Sequence, residues 1–166
     1  MLVIGIDPGV AITGYALVEE VGTAYCCLKS GCIRTASNLP SAMRLTAIFE
    51  QVTKLVKEHQ PQALVIEKIF FSKNVRTAFQ VGEARGVIML AAARLGLSVY
   101  EYTPLQVKQA VAGYGKAEKV QVQKMVQLLL KLPQQPAVDD EADAMAVALC
   151  HLQSHRFQEA TRGGKP

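Results

Sequence analysis

Four acids in this 166-residue chain sit where acids are costly. Asp7 closes the aliphatic run LVIGID at residues 2–7, and Pro8-Gly9 follows at once. Glu67 closes a second aliphatic run, ALVIE, at residues 63–67. Asp140 and Asp143 lie within DDEAD at residues 139–143, at i and i+3, and so share one face of a helix. A carboxylate at the end of a buried strand is unfavourable unless it is paired, hydrogen-bonded or bound to a metal. Two strand-end acids and an i, i+3 acidic pair, brought together, repel one another, and some stay protonated without a cation. Mg²⁺ or Mn²⁺ resolves that conflict, because both favour oxygen ligands and keep several waters. Two such ions about 4 Å apart can activate a water and stabilise the leaving oxygen in phosphodiester cleavage. Acids that open a helix also act as caps favoured by its dipole. That simpler role suits Asp139. Asp143 is already inside the helix, in an ADAMAVAL setting that should face a core.

These acids matter only if the elements carrying them converge. LVIGID is aliphatic on both faces, which predicts a central strand. TGYALVEE (13–20) and AYCCLKSGCIRT (24–35) read as two further strands separated by short turns, which favours a three-stranded antiparallel meander. Leu45, Ile48, Phe49, Val52, Leu55 and Val56 recur at the spacing of one helical face, between Pro40 and Pro61. ALVIE is a short buried strand, IFFSKN (69–74) a loop, 75–95 a helix and SVYEY (98–102) a strand. Thr103-Pro104 is a good N-cap and first-turn pair for a helix reaching about Ala112. Lys116 to Leu132 reads as a long amphipathic helix with Val120, Met125, Leu128, Leu129 and Leu132 on its apolar side. A final helix is expected from Asp139 or Asp140 to about His155. The order βββαβαβααα predicts an α/β fold, a five-stranded mixed sheet with helices on both faces. Residues 1–155 are expected to form one domain and 156–166 a disordered tail.

Half the residues are hydrophobic, and the net charge is +4. The charge is unevenly spread. Residues 1–66 hold five Lys/Arg and five acids, whereas 68–131 hold ten Lys/Arg against Glu83, Glu101 and Glu118. A basic middle beside an acidic cluster suits a polyanion binder with a metal site, although exposed lysines more often serve solubility. No apolar run approaches the ~20 residues of a membrane span, and the short apolar start lacks the basic leader of a signal peptide. Cys26, Cys27, Cys32 and Cys150 show no metal-ligand spacing and are expected to be reduced, buried thiols of a cytoplasmic protein. His59, His151 and His155 belong to no motif and read as structural or surface residues.

GIDPG with TGYA, then SGCIRT, IEKIFFSKN, ARGV, VKQAVAGYGKAEKVQVQ, LLKLP and DEADAMAVALCH together resemble the RuvC family of Holliday-junction resolvases. Each motif alone is weak; their order from residue 2 to about 152 is specific. The resemblance implies a ribonuclease-H-like fold and a homodimer. It also implies paired, symmetric, metal-dependent cuts in a four-way DNA junction during recombination and repair, leaving 5′-phosphate and 3′-hydroxyl ends. Carried over motif by motif, Asp7, Glu67, Asp140 and Asp143 match the family's catalytic, metal-binding acids, which implies two Mg²⁺ ions with Mn²⁺ as a substitute. DDEAD leaves Asp139 and Asp140 both available as third ligand, and the family spacing selects Asp140; some relatives carry His there. Phe70 matches an aromatic that contacts junction bases. Lys108 and Lys119 match basic positions near the scissile phosphate. Lys73, Arg76 and Lys116 join them as candidate phosphate contacts. A RuvA-RuvB branch-migration complex is implied as a partner by resemblance alone. Small residues Ala78, Gly82 and Ala84 mark the 75–95 helix as the expected self-contact.

Three other readings compete. A YqgF-type RNA-processing nuclease also opens with a G-x-D-x-G strand, but VKQAVAGYGKAEK argues against it. Actin-like ATPases and sugar kinases share GIDPG, yet need a second glycine-rich phosphate loop that is not present. A non-catalytic junction-binding module would lack an acid, and none is missing.

Overall fold

Alternation along the strands decides which way each side chain faces. In β1 (Leu2–Asp7) and β4 (Ala63–Glu67), Ile4, Ile6, Leu64 and Ile66 point to one face of a sheet, while Val3, Ala63 and Val65 point to the other. Both faces are buried, as expected for central strands. The computed structural model describes residues 1–68 and 75–162, and the side chains of all of these except 75–76 and 158–162.

The sheet also contains β2 (Ile12–Val21), β3 (Ala24–Arg34) and β5 (Ser98–Tyr102), in the order β3-β2-β1-β4-β5. β1, β2 and β3 form the expected antiparallel meander, whereas β1, β4 and β5 run parallel. Helices α1 (Ser41–His59) and α2 (Val75–Arg94) cover one face with Ile48, Val52, Leu55, Ala84, Ile88 and Ala92. Helices α3 (Pro104–Ala112), α4 (Lys119–Leu129) and α5 (Asp139–Arg162) cover the other. The architecture is the ribonuclease-H-like mixed sheet that the element order anticipates.

Several boundaries and orientations differ from the sequence reading. α4 begins at Lys119, not Lys116, because Glu118 and Gln121 form a reciprocal capping box there. Its buried stripe is Val122 and Val126 with Met125 and Leu129 packed alongside; Val120 and Leu128 are exposed. Packing on α5 selects this phase. α5 continues past His155 to Arg162. Ala84 faces the sheet and not outward, and of the four free cysteines only Cys150 is buried.

Candidate active site

The same alternation aims two acids at one place. Asp7 follows Val3 and Gly5 on the α5 side of β1, and Glu67 follows Ala63 and Val65 on the same side of β4. Because Ile6 pairs with Ile66 in the parallel register, Asp7 and Glu67 stand side by side at adjacent strand ends. Pro8 and Gly9 then turn the chain. A Cβ at Gly9 would lie 2.3 Å from the Ile12 carbonyl, and the buried Thr13 hydroxyl donates to the Gly9 carbonyl at 2.6 Å. Only glycine permits a turn this tight.

Asp140 and Asp143 arrive on α5, which lies directly on the backbone of β1 and β2. A Cβ at Gly14 would meet the Asp140 carbonyl oxygen at 1.9 Å, and one at Gly5 would meet the Ala144 carbonyl oxygen at 2.1 Å. Gly14 is also the β2 partner of Asp7. Two bare strand positions therefore seat the helix start over Asp7. The functional importance of these glycines escaped the sequence reading, although glycine inside a strand is a recognisable sign of close backbone approach.

Mutual repulsion is visible in the electrostatics. Burial, reinforced by Asp143, Asp140 and Glu67, pushes the Asp7 carboxyl up to about 7, against the opposing pull of Lys119. Burial and then Asp143 raise Glu67, while Lys108 and Lys119 pull it down. Asp143 is raised by burial, with Lys119 opposing. Lys119 Nζ donates to Asp143 Oδ2 at 3.0 Å and pairs with Asp139 Oδ2 at 3.1 Å. Gln123 donates to the other Asp139 oxygen at 2.9 Å, so Asp139 is an anchor for α4. Its carboxyl is held below the usual range by these partners, Lys119 first.

A cavity of about 220 Å³ is lined by Glu67, Asp143, Lys108 and Lys119. The structure thus gathers six of the expected residues: Asp7, Glu67, Asp140 and Asp143, with Lys108 and Lys119 beside them. Lys116 is exposed ahead of α4 and lines no part of this cavity. Phe70, Lys73 and the Arg76 side chain lie outside the described residues. Arg85 is an unanticipated member. From α2 it donates Nη1 to the Glu67 carbonyl at 2.7 Å and pairs through Nη2 with Glu101 on β5, tying the acid-bearing ends of β4 and β5 together. Nothing local in the sequence announces that contact.

The donor set is all oxygen and carries more negative charge than a buried site tolerates, which suits a hard divalent cation. Among the described residues no three His, Cys, Asp or Glu side chains are gathered tightly enough to chelate an ion as they stand. Asp143 is engaged by Lys119 instead.

Residues 3–151 match the family model for crossover junction endodeoxyribonuclease RuvC. The chain belongs to the RuvC family. It is 54% identical over 158 residues to the RuvC of Pelotomaculum thermopropionicum, covering 95% of this chain and 96% of that one. Identity to the RuvC of Desulforamulus reducens is 52% over 153 residues, covering 92% and 94%. The solved structure of Thermus thermophilus RuvC in complex with a Holliday junction substrate superposes with a TM-score of 0.91 at 36% identity, covering 95% and 96%. The activity is that of the RuvC family, a nuclease that resolves Holliday junctions, and the RNA-processing and non-catalytic readings gain no support. RuvC nucleases are metal-dependent. Among the described residues, no helix is long and apolar enough to cross a membrane.

Proposed function

We propose that this RuvC-family chain binds four-way junction DNA as a homodimer and cuts two strands symmetrically, using Asp7, Glu67, Asp140 and Asp143 to hold divalent cations. The observation that carries this reading is the convergence of the acids: Asp7 and Glu67 at adjacent strand ends, with the Asp140 turn of α5 seated on Gly14 beside Asp7. Burial and the other three acids accordingly push the Asp7 carboxyl up to about 7. Such a site gains most from a cation. Two Mg²⁺ ions fit the donor chemistry, with Mn²⁺ able to replace them. When bound, they would supply a lowered water pKa and charge neutralisation at the scissile phosphate. Asp143, now bonded to Lys119, would join Asp7, Glu67 and Asp140 in holding the cations, and Asp139 gives Lys119 a second carboxylate partner. Lys108 and Lys119 face the acids across one cavity and offset the charge that grows on the phosphate in the transition state. Phe70, in the segment after Glu67, stacks on a junction base, and Lys73, Arg76 and Lys116 contact phosphates without reading sequence.

The homodimer draws on α2. Phe79, Gly82, Gly86 and Leu90 follow one helical stripe; Phe79 is 72% and Leu90 53% exposed, and a Cβ on either glycine would meet nothing within 4 Å. Two copies of this stripe could approach closely. Residues 1–155 act as one nuclease domain, and RuvA-RuvB is the proposed branch-migration partner.

The test is Asp7→Asn assayed on a synthetic four-way junction with and without Mg²⁺. Lost cleavage with retained binding is expected. Full-rate cleavage by the variant would remove Asp7 from the metal site.

A further inference from the structure

A second cavity, of about 320 Å³, opens beside Asp140 and shares no lining residue with the first. Its walls include the Gly9–Ile12 turn that follows Asp7, Arg44 of α1 and Gln80 of α2. One cavity thus borders Glu67 and Asp143, and the other borders Asp140 and the Asp7 turn. A DNA strand held with one phosphate at the acids has neighbouring phosphates to place on either side.

Arg44 lines the second cavity and is held in place there. It is half-buried, and its Nε donates to Thr35 Oγ1 at 2.8 Å. The Thr35 hydroxyl in turn donates to the Val10 carbonyl at 2.5 Å, and the Thr35 amide donates to the Ala11 carbonyl at 3.2 Å. The guanidinium is therefore braced against the same turn that positions Asp7. Among the described residues no acid forms an ion pair with Arg44, whereas Arg85 has Glu101 and Lys119 has Asp139 and Asp143. Anchoring through Nε leaves the two Nη groups as a planar fork, which matches two phosphate oxygens.

We propose that this second cavity is a subsite for a backbone phosphate flanking the cut, with Arg44 as its principal donor and Gln80 as a neutral one. Asp140 in the same cavity repels a phosphate at short range, so the Arg44 fork decides where the phosphate sits. The subsite rests on the nuclease reading above and adds a residue that positions the substrate strand.

A scan of junctions carrying one neutral methylphosphonate at each position around the cut tests it. Binding is measured in chelator, where cleavage is silent. One flanking substitution should weaken the wild type and leave Arg44→Gln unaffected, because the variant has already lost that contact. Arg44→Gln should bind the unmodified junction about tenfold more weakly. Its log K against log salt should be shallower by about 0.9 per bound subunit. Arg44→Lys keeps the charge and loses the fork, so it should keep the slope and lose part of the affinity; it also serves if the Gln variant melts early. Equal binding and slope in Arg44→Gln, or no flanking phosphate that separates it from the wild type, would overturn the subsite alone. Wild-type protein that neither binds the junction nor cuts it with Mg²⁺ would instead overturn the nuclease reading.

Discussion

Replacing Gly14 with alanine should uncouple catalysis from DNA binding by moving one helix. The new Cβ would lie 1.9 Å from the Asp140 carbonyl oxygen and 3.0 Å from the Glu141 nitrogen. Both are backbone atoms, so no rotamer change relieves the clash. Opening the first contact from 1.9 to the 3.0 Å limit of real contacts requires α5 to retreat by about 1.1 Å at its start. Asp140 and Asp143 move with that turn, while Asp7, paired with Gly14 in the sheet, stays. A misplacement of about 1 Å can cost roughly 10²-fold in rate, and overpacking costs about 1–3 kcal/mol of stability. The assay is single-turnover cleavage of a four-way junction in Mg²⁺, beside junction affinity in chelator and a thermal melt. The expected result is cleavage slowed about 100-fold with affinity within a few-fold, since Lys108 and Arg44 sit on other elements. Gly22→Ala is the control. Gly22 has φ +61 with nothing within 4 Å of an added Cβ, so alanine there strains a turn far from the acids. It should lose stability and keep its rate. Wild-type cleavage by Gly14→Ala, or a loss no larger than its unfolded fraction explains, would refute the seating of α5 by this glycine.

Asp7 gives a pH signature. Its folded value of about 7 lies above the ordinary 3.8, so the stability tied to its neutral form is complete below that ordinary value and is lost as pH rises through 7. Melts in chelator should fall across that window; Mg²⁺ or Mn²⁺ should restore them, Asp7→Asn should flatten them, and a flat wild-type profile would contradict the repulsion. His151 acts in the opposite sense. It is buried, bonded through Nδ1 to the Tyr102 hydroxyl at 2.9 Å, and its Nε2 has no hydrogen-bond partner among the described residues; burial, then His155, lowers it to about 4. The stability it confers as a neutral ring is present above its ordinary 6.5 and lost as pH falls through 4. His151→Phe should therefore resist acid better in melts run with Mg²⁺ while changing stability at pH 7 by no more than ~1 kcal/mol. Lys119→Met should slow cleavage by about 10²–10³-fold yet tighten Mn²⁺ binding measured by calorimetry, because Asp143 loses its resident cation. Arg85→Lys should lower kcat about tenfold with KM little changed, since only the Glu67 carbonyl loses its donor; a pure KM effect would make Arg85 a DNA contact instead.

The parts of this site that could be read from sequence are those governed by local periods. Period-two alternation puts Asp7 and Glu67 on the face of Val3 and Val65, and an i, i+3 spacing puts Asp140 and Asp143 on one helical face. What escaped depends on pairs distant in sequence. The α4 segment offers more than one apolar stripe, and only contact with α5 selects Val122 and Val126 over Val120 and Leu128. Linear charge counting leaves the cations unresolved for the same reason. The basic stretch from 68 to 131 suits a polyanion binder or a solvated face equally, and counting does not say which of its cations are free. Folding commits Arg85 to Glu101 and Lys119 to Asp139 and Asp143. Arg44 comes from a stretch whose charges balance, yet its guanidinium is braced beside the site and forms no ion pair among the described residues. Net charge per segment belongs to the chain, but charge available to a phosphate is decided by which carboxylates the fold brings within reach. Arg44 therefore outranks Lys116 as a phosphate contact, and a salt-slope comparison of Arg44→Gln with Lys116→Gln should show the larger change at Arg44.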